Sequence, residues 1–343
     1  MNVTRIETRP CLYCDEPGRS QEHVLPQMFG TYEGNLTTWD VCRDCNNVHF
    51  GQRLEHAFGR NSMEAIFRLI FGAKSPDKAH EIGGDRVMPI YLEEDDFRGA
   101  RLTWARDGAG SFQAEMPPQV IIHHSSLDVP RAFLEHEITS EAIGPFLKGS
   151  KVLIPGDPDE EKVPRLVAKM ENAGFVFVGD IERVRVPPRT ERDFLLRIDA
   201  VVDDAIARVV TKIAVNFLAA TTGYEFAMRQ EFRPMRKYAR YAEPCLRGRV
   251  HAFARSIELD ATRDGCGDGH VMTLDWSFAT GEVIALISLF NRITYQVDLA
   301  GDVQAIWRNI RIAYHFDPAS RQVKRLDAGT GEHMTLIGAT MNG

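Results

Sequence analysis

Residues 11 to 24 read CLYCDEPGRSQEHV, and residues 42 to 47 read CRDCNN. Two Cys-x-x-Cys pairs of equal spacing bracket a Glu-His dipeptide, and asparagines follow the second pair. The pairs Cys11/Cys14 and Cys42/Cys45 are separated by the 27 residues 15 to 41. Each pair can form a knuckle that presents two thiolates at ~2.3 Å to one ion, so the four predict a tetrahedral structural Zn2+. Unligated or redox-active cysteines are the alternative. A site closed by four thiolates keeps no open coordination position, so such an ion holds structure and performs no chemistry. Any catalysis must come from what the knuckles position: Glu22, His23, the run Val24-Leu25-Pro26, then Gly34-Asn35-Leu36, and Asn46, Asn47 and His49.

The rest of the chain bounds this reading. Six cysteines in 343 residues are too few for a disulfide scaffold, and Cys245 and Cys266 lie far from the other four. In a reducing compartment that distribution favours metal binding over bridging. No apolar run approaches the ~18 residues of a membrane span, and MNVTRIETRP lacks the apolar core of a secretory signal. A cytoplasmic location without membrane contact is therefore expected. The net charge of −7 excludes a generally basic nucleic-acid binder, so any phosphate-binding surface must be local.

The fold class expected is α+β: a small zinc-stabilised module over residues 1 to 60, a helix and linker over 61 to 86, and a larger mixed α+β domain over 87 to 343. The first sixty residues are loop-rich and need a metal to hold shape. Residues 61 to 72, NSMEAIFRLIFG, predict a helix capped by Ser62, and AKSPDKAHEIGGD a linker. VMPIYL, ARLTWA, PQVIIHH, FVFVGDIERVRV and DFLLRIDAV read as strands, and DEEKVPRLVAKMENAG as an amphipathic helix. The strongest helix is 203 to 222, DDAIARVVTKIAVNFLAATT, with acidic residues at its start and Gly223 at its end. HVMTLDWSF, EVIALISLF, ITYQVDLA and NIRIAYHF close the chain as strands, the first three as an antiparallel β-meander.

Taken in order, Cys-x-x-Cys, an acidic residue and His before two apolar residues and Pro, Gly-Asn-Leu, and Cys-x-x-Cys-Asn resemble the HNH endonucleases with a ββα-metal core. The similarity is to a bacterial branch whose motif ends in Cys-Asn, and it covers residues 10 to 56. KIAVNFLAATTGYEF and RKYARYAE are similar to the body of larger proteins that carry this module. The resemblance implies a metal-dependent endonuclease that hydrolyses phosphodiester bonds, in DNA rather than RNA, with a bacterial defence role as an analogy. It implies His23 as general base and Asn35 as the residue that holds the loop and orients the histidine. Neighbouring side chains on a strand face opposite ways, so Glu22 is implied as a ligand of the catalytic ion, together with Asn46. An amide oxygen and a carboxylate favour Mg2+ or Mn2+ over zinc at that position. His49, three residues after Asn46 on a helix, is a further ligand or phosphate contact. Glu55 and His56 are expected to be solvated or structural.

Residues 228 to 255 carry seven arginines and Lys237 against Glu231 and Glu243, a local charge of +6. Two readings stand for this segment. Arg229, Arg233, Arg236, Lys237 and Arg240 contact phosphates while Phe232, Tyr238 and Tyr241 stack on bases, or the arginines, Arg255 at the segment's end included, form a solvated helix face whose aromatics point to the core. His123 and His124 read as structural, and Asp264, Asp268 and His270 as a turn before a strand. The large domain is where a partner protein or small-molecule activator would act. A non-catalytic zinc module that binds nucleic acid, and a conditional nuclease silent until that domain is engaged, are the rival readings.

Overall fold

The computed structural model describes residues 9–71, 90–93, 97–106, 112–155, 161–178, 196–198, 201–254, 269–277, 279–303 and 310–326. The expected linker 73–85, Arg255, Asp264, Cys266 and Asp268 lie outside them. The chain divides into two compact units, one of residues 1–86 with 201–343 and one of residues 87–200. The expected line at residue 86 coincides with a border between the units, whereas the one at residue 60 does not. The return to the first unit at residue 201 is not foreseen, because a chain that re-enters a unit carries no compositional mark.

In the first unit, strand Ser20–His23 pairs antiparallel with strand Thr37–Val41, with His23 opposite Thr37 and Glu22 opposite Thr38. The second strand is rich in β-branched residues, which suit a pleated surface. Gly18 precedes the hairpin because a Cβ there would stand 2.8 Å from the backbone of Asp40. A helix follows, wound with wide i→i+5 hydrogen bonds over Asp44–Glu55 and tightening to an α-helix over His56–Asn61. The wide winding decides which positions share a face. Cys45, Phe50 and Leu54 are buried, at separations of five and four residues.

Ser62 starts the next helix, Met63–Ile70, and its Oγ accepts from the Ala65 amide at 3.3 Å. Helix Asp204–Thr222 is capped by Asp203, whose carboxylate accepts from the Ile206 amide at 2.9 Å, and it ends at Gly223 with φ 94°. It is long and apolar enough to cross a membrane, but here it is a core helix, buried nearly all round from Ile206 to Ala219. It packs against the strand Thr37–Val41, the helix Asp44–Glu55 and three strands of a large sheet.

That sheet is antiparallel and six-stranded, in the order Val250–Phe253, Ile293–Ala300, Val283–Leu289, His270–Trp276, Ile310–Asp317, Gln322–Leu326. The expected meander forms its centre. One continuous core joins the cysteine knuckles and Phe29, Phe50 and Phe58 to Ile213, Phe217, Tyr295 and Phe316. Each of those phenylalanines is at most 1% exposed, worth about 1.5–3 kcal/mol apiece. Among the described residues, the buried side chains before residue 60 belong to one cluster with those of the C-terminal half.

The second unit holds a sheet ordered Phe112–Glu115, Arg101–Arg106, Ile90–Leu92, Leu196–Ile198, and a three-stranded sheet ordered Arg131–Leu134, Gln119–His123, Lys151–Leu153. Helix Lys162–Asn172 buries Leu166 and Met170 beside Val120, Ile122 and Phe133. Residues 175–178, the described start of the expected strand FVFVGDIERVRV, are not strand.

His270 opens a central strand and fastens the sheet to the loop after the Glu-His strand. Its Nδ1 accepts from the Phe290 amide, so its Nε2–H donates to the Phe29 carbonyl, each at 3.1 Å. Burial pulls its pKa down to about 3. The folded ring stays neutral where the unfolded one, with a pKa near 6.5, would take a proton. Its contribution is complete above pH ~6.5 and is lost as pH falls toward 3, at about 1.4 kcal/mol per pH unit. Urea denaturation should therefore show the stability advantage of wild type over His270→Gln shrinking between pH 7 and pH 5.

Candidate functional site: four thiols and a Glu-His strand

The four thiol sulfurs of Cys11, Cys14, Cys42 and Cys45 lie within 4.8 Å of one another. Cys14 Sγ is 3.6 Å from both Cys42 Sγ and Cys45 Sγ. Four sulfurs ~2.3 Å from a central ion in a tetrahedron stand ~3.8 Å apart, so the cluster fits Zn2+. Backbone amides point at the sulfurs as knuckles require: Tyr13 and Cys42 donate to Cys11 Sγ at 3.4 and 3.3 Å, and Cys45 donates to Cys42 Sγ at 3.4 Å. Arg240 Nε adds a donor to Cys45 Sγ at 3.2 Å. The Cys45 thiol first, then backbone donors, pull Cys11 down to about 5, while burial pushes Cys14 up to about 12. Crowded thiols cannot all ionise unaided; a zinc ion among them removes that conflict.

The strand Ser20–His23 sends its last two side chains to opposite environments. Glu22 turns inward, 5% exposed, onto Lys212 of the core helix. Lys212 Nζ contacts Glu22 Oε1 and lies 2.6 Å from Glu55 Oε1, and the lysine side chain is wholly buried. Burial works against the charge of Lys212, but two carboxylates around one ammonium keep it charged. Burial first, and the neighbouring Glu55 carboxylate with it, raise the Glu22 pKa against the pull of Lys212. Tyr13 Oη locks the helix in place, donating to Asn216 Oδ1 at 2.6 Å and lying 3.1 Å from the Lys212 carbonyl.

His23 turns the other way and is half-buried. Asn35 Nδ2 stands 3.1 Å from its Nδ1 and Gln27 Nε2 stands 2.9 Å from its Nε2. A neutral imidazole accepts at one nitrogen only, so one of these amides presents its oxygen instead. Burial, then the Lys212 charge, lower the His23 pKa and keep the ring neutral.

The remaining expected ligands do not join Glu22. Asn46 Nδ2 donates to Ser20 Oγ at 2.8 Å and to the Gln21 carbonyl at 2.9 Å, which ties the helix start to the bulged strand. His49 points elsewhere: Arg240 meets its Nδ1 at 2.6 Å and Arg208 its Nε2 at 2.9 Å. In an i→i+5 helix, residues three apart do not share a face, so the α-helical spacing that paired Asn46 with His49 fails here. Burial and three arginines pull His49 down to about 4. Among the described residues, the four cysteines are the one group of three or more His, Cys, Asp or Glu whose ligand atoms converge. A catalytic Mg2+ or Mn2+ does not fit Glu22, Asn46 and His49 as they are arranged.

The basic segment does not form a phosphate-facing stripe. Arg236 is buried and donates to the carbonyls of Ala227, Met228 and Arg229 at 2.6, 3.2 and 3.1 Å. Arg229 pairs with Glu231, and Arg240 with Asp44 at 2.7 Å. Phe232 and Tyr238 are core residues. Arg233 and Lys237 are exposed. Lys212, Glu55, Arg208, Gln27, Tyr13 and Asn216 escaped the sequence reading as parts of the site. One signal was available: Asp204, Arg208, Lys212 and Asn216 recur every four residues as a polar stripe on a largely apolar helix.

No family model, curated protein or solved structure matches this chain.

Because the knuckles feed the shared core, Cys42→Ser should release zinc and destabilise the whole first unit. The expected result is substoichiometric zinc by elemental analysis together with a melting temperature lowered by ten degrees or more, on the order expected for loss of a structural metal.

Proposed function

We propose that this chain is an HNH-type endonuclease in a resting arrangement, with His23 as general base and DNA as its substrate. One observation carries this reading: a neutral, half-buried imidazole held at both nitrogens by amides, on a hairpin anchored by four converging thiols. A base of this kind needs a free lone pair facing solvent and a proton fixed at the other nitrogen. That state arises when Asn35 presents its oxygen to Nδ1–H and Gln27 moves off Nε2, the more exposed nitrogen. Asn35 is then a positioning residue. His23 takes a proton from water, the water oxygen bonds to phosphorus, and the bond to the leaving 3′ oxygen breaks; that oxygen takes a proton from solvent and His23 returns its own to solvent.

Phosphodiester hydrolysis also requires neutralisation of the phosphate and the leaving oxygen. The implied divalent ion does not fit the arrangement as it stands, so no step is routed through it. Glu22 committed to Lys212 favours a conditional nuclease over a constitutive one. It equally suits a module that binds nucleic acid without cutting.

Plasmid nicking at high protein excess, in Mg2+, Mn2+ or EDTA, separates the readings. Cleavage should need the divalent ion and fall by ~10²–10⁴-fold in His23→Ala, while zinc content and melting stay unchanged. Equal nicking by that variant refutes the role of His23, and zinc-loaded protein that binds DNA without cutting it in any condition supports the binding module.

A further inference from the structure

The carboxylates of Glu22 and Glu55, residues 33 positions apart, meet over one cation, the ammonium of Lys212. We propose that Lys212 is an internal counter-ion that closes a latent divalent-cation site built from Glu22 and Glu55. Loading of that site is then set by the position of helix Asp204–Thr222. This deepens the nuclease reading: it identifies the lock that holds the resting arrangement.

The pocket has the donor chemistry of a hard-cation site. Two carboxylates meet in a buried setting, one nearly inaccessible and one 19% exposed at its side chain. Glu22 and Glu55 would hold Mg2+ or Mn2+ through carboxylate oxygens, the hard donors those ions prefer. The ammonium sits within hydrogen-bond reach of both, so it fills the space such an ion needs and repels it at close range. Lys212 cannot step aside by rotating into solvent. Its side chain is completely buried, its ammonium lies 5.9 Å from the centre of the Phe50 ring, and its helix turn is pinned through Tyr13 and Asn216. Ammonium and metal are therefore mutually exclusive, and exchange requires the helix to shift. The helix also packs on the six-stranded sheet, so a ligand or partner that moves it there would reach Glu22 through Lys212.

The test uses Mn2+ as probe on the full, zinc-loaded chain, with bound ion read by electron paramagnetic resonance. Wild type should show no Mn2+ site dependent on Glu22. Lys212→Met keeps the apolar stem and removes the charge; it should bind Mn2+ at least ~10-fold more tightly, and Lys212→Met/Glu22→Gln should lose that gain. Lys212→Arg, which restores the charge, should bind no better than wild type. If Lys212→Met melts early because two buried carboxylates lack a partner, Mn2+ should raise its melting temperature and leave that of the double variant unmoved. Wild-type Mn2+ binding that Glu22→Gln abolishes would overturn the proposal. So would a Lys212→Met protein whose Mn2+ affinity and melting match those of the double variant. Absence of DNA cleavage in every variant would count against the nuclease reading alone, since the probe reports occupancy and not turnover.

Discussion

One buried ammonium ties this protein together. Lys212, from the middle of the core helix, bonds to a strand residue 190 positions earlier and a helix residue 157 positions earlier. Removing one partner from a buried ion cluster typically costs 3–5 kcal/mol, because the charge left behind has no water to turn to. The hairpin, the helix after the knuckles and the C-terminal half must therefore assemble together. The aromatic core gives the same result: Phe29 meets His270 and Phe290, Phe58 meets Tyr295, and Lys212 of the core helix lies over the Phe50 ring. Zinc alone does not make the first sixty residues a separate body.

The two-residue period of a strand gives this tie its consequence. With Glu22 fixed inward on Lys212, His23 must face outward, and its two amide contacts come from the loop that the hairpin encloses. The inward contact thus sets the direction of the ring without touching it. The same tie withholds the carboxylate that the motif offers to a metal.

The sequence disclosed what depends on near neighbours. Cys-x-x-Cys spacing, the Ser62 cap, the helix from its acidic start to Gly223 and the meander all follow from a few consecutive residues, and all are present. Partners far along the chain left no such trace. Nothing near Glu22 announces Lys212, and nothing near Arg236 announces that its guanidinium closes the carbonyls of 227 to 229. The helix Asp44–Glu55 adds a different failure: its residues suit an α-helix, but i→i+5 winding turns Asn46 and His49 apart. The inserted unit 87–200 shows only its first border in the sequence; at its second, the chain returns to the first unit with no change of composition to mark it.

The arginines that looked free for phosphate also have an electrostatic reason for their positions. Four thiolates around one Zn2+ leave a net charge of −2, buried among Tyr13, Phe50 and the core helix, and such a charge needs nearby donors. Arg240 supplies one directly through Nε to Cys45 Sγ, and its other nitrogens reach Asp44 and His49. Arg208 approaches the same imidazole from the core helix. Two guanidiniums around a ring that can accept from only one of them would be a poor arrangement if hydrogen bonding were the purpose. The thiol cluster thus accounts for the position of Arg240, whose Nε faces Cys45 Sγ, while Arg229 answers to Glu231 and Arg236 to backbone carbonyls.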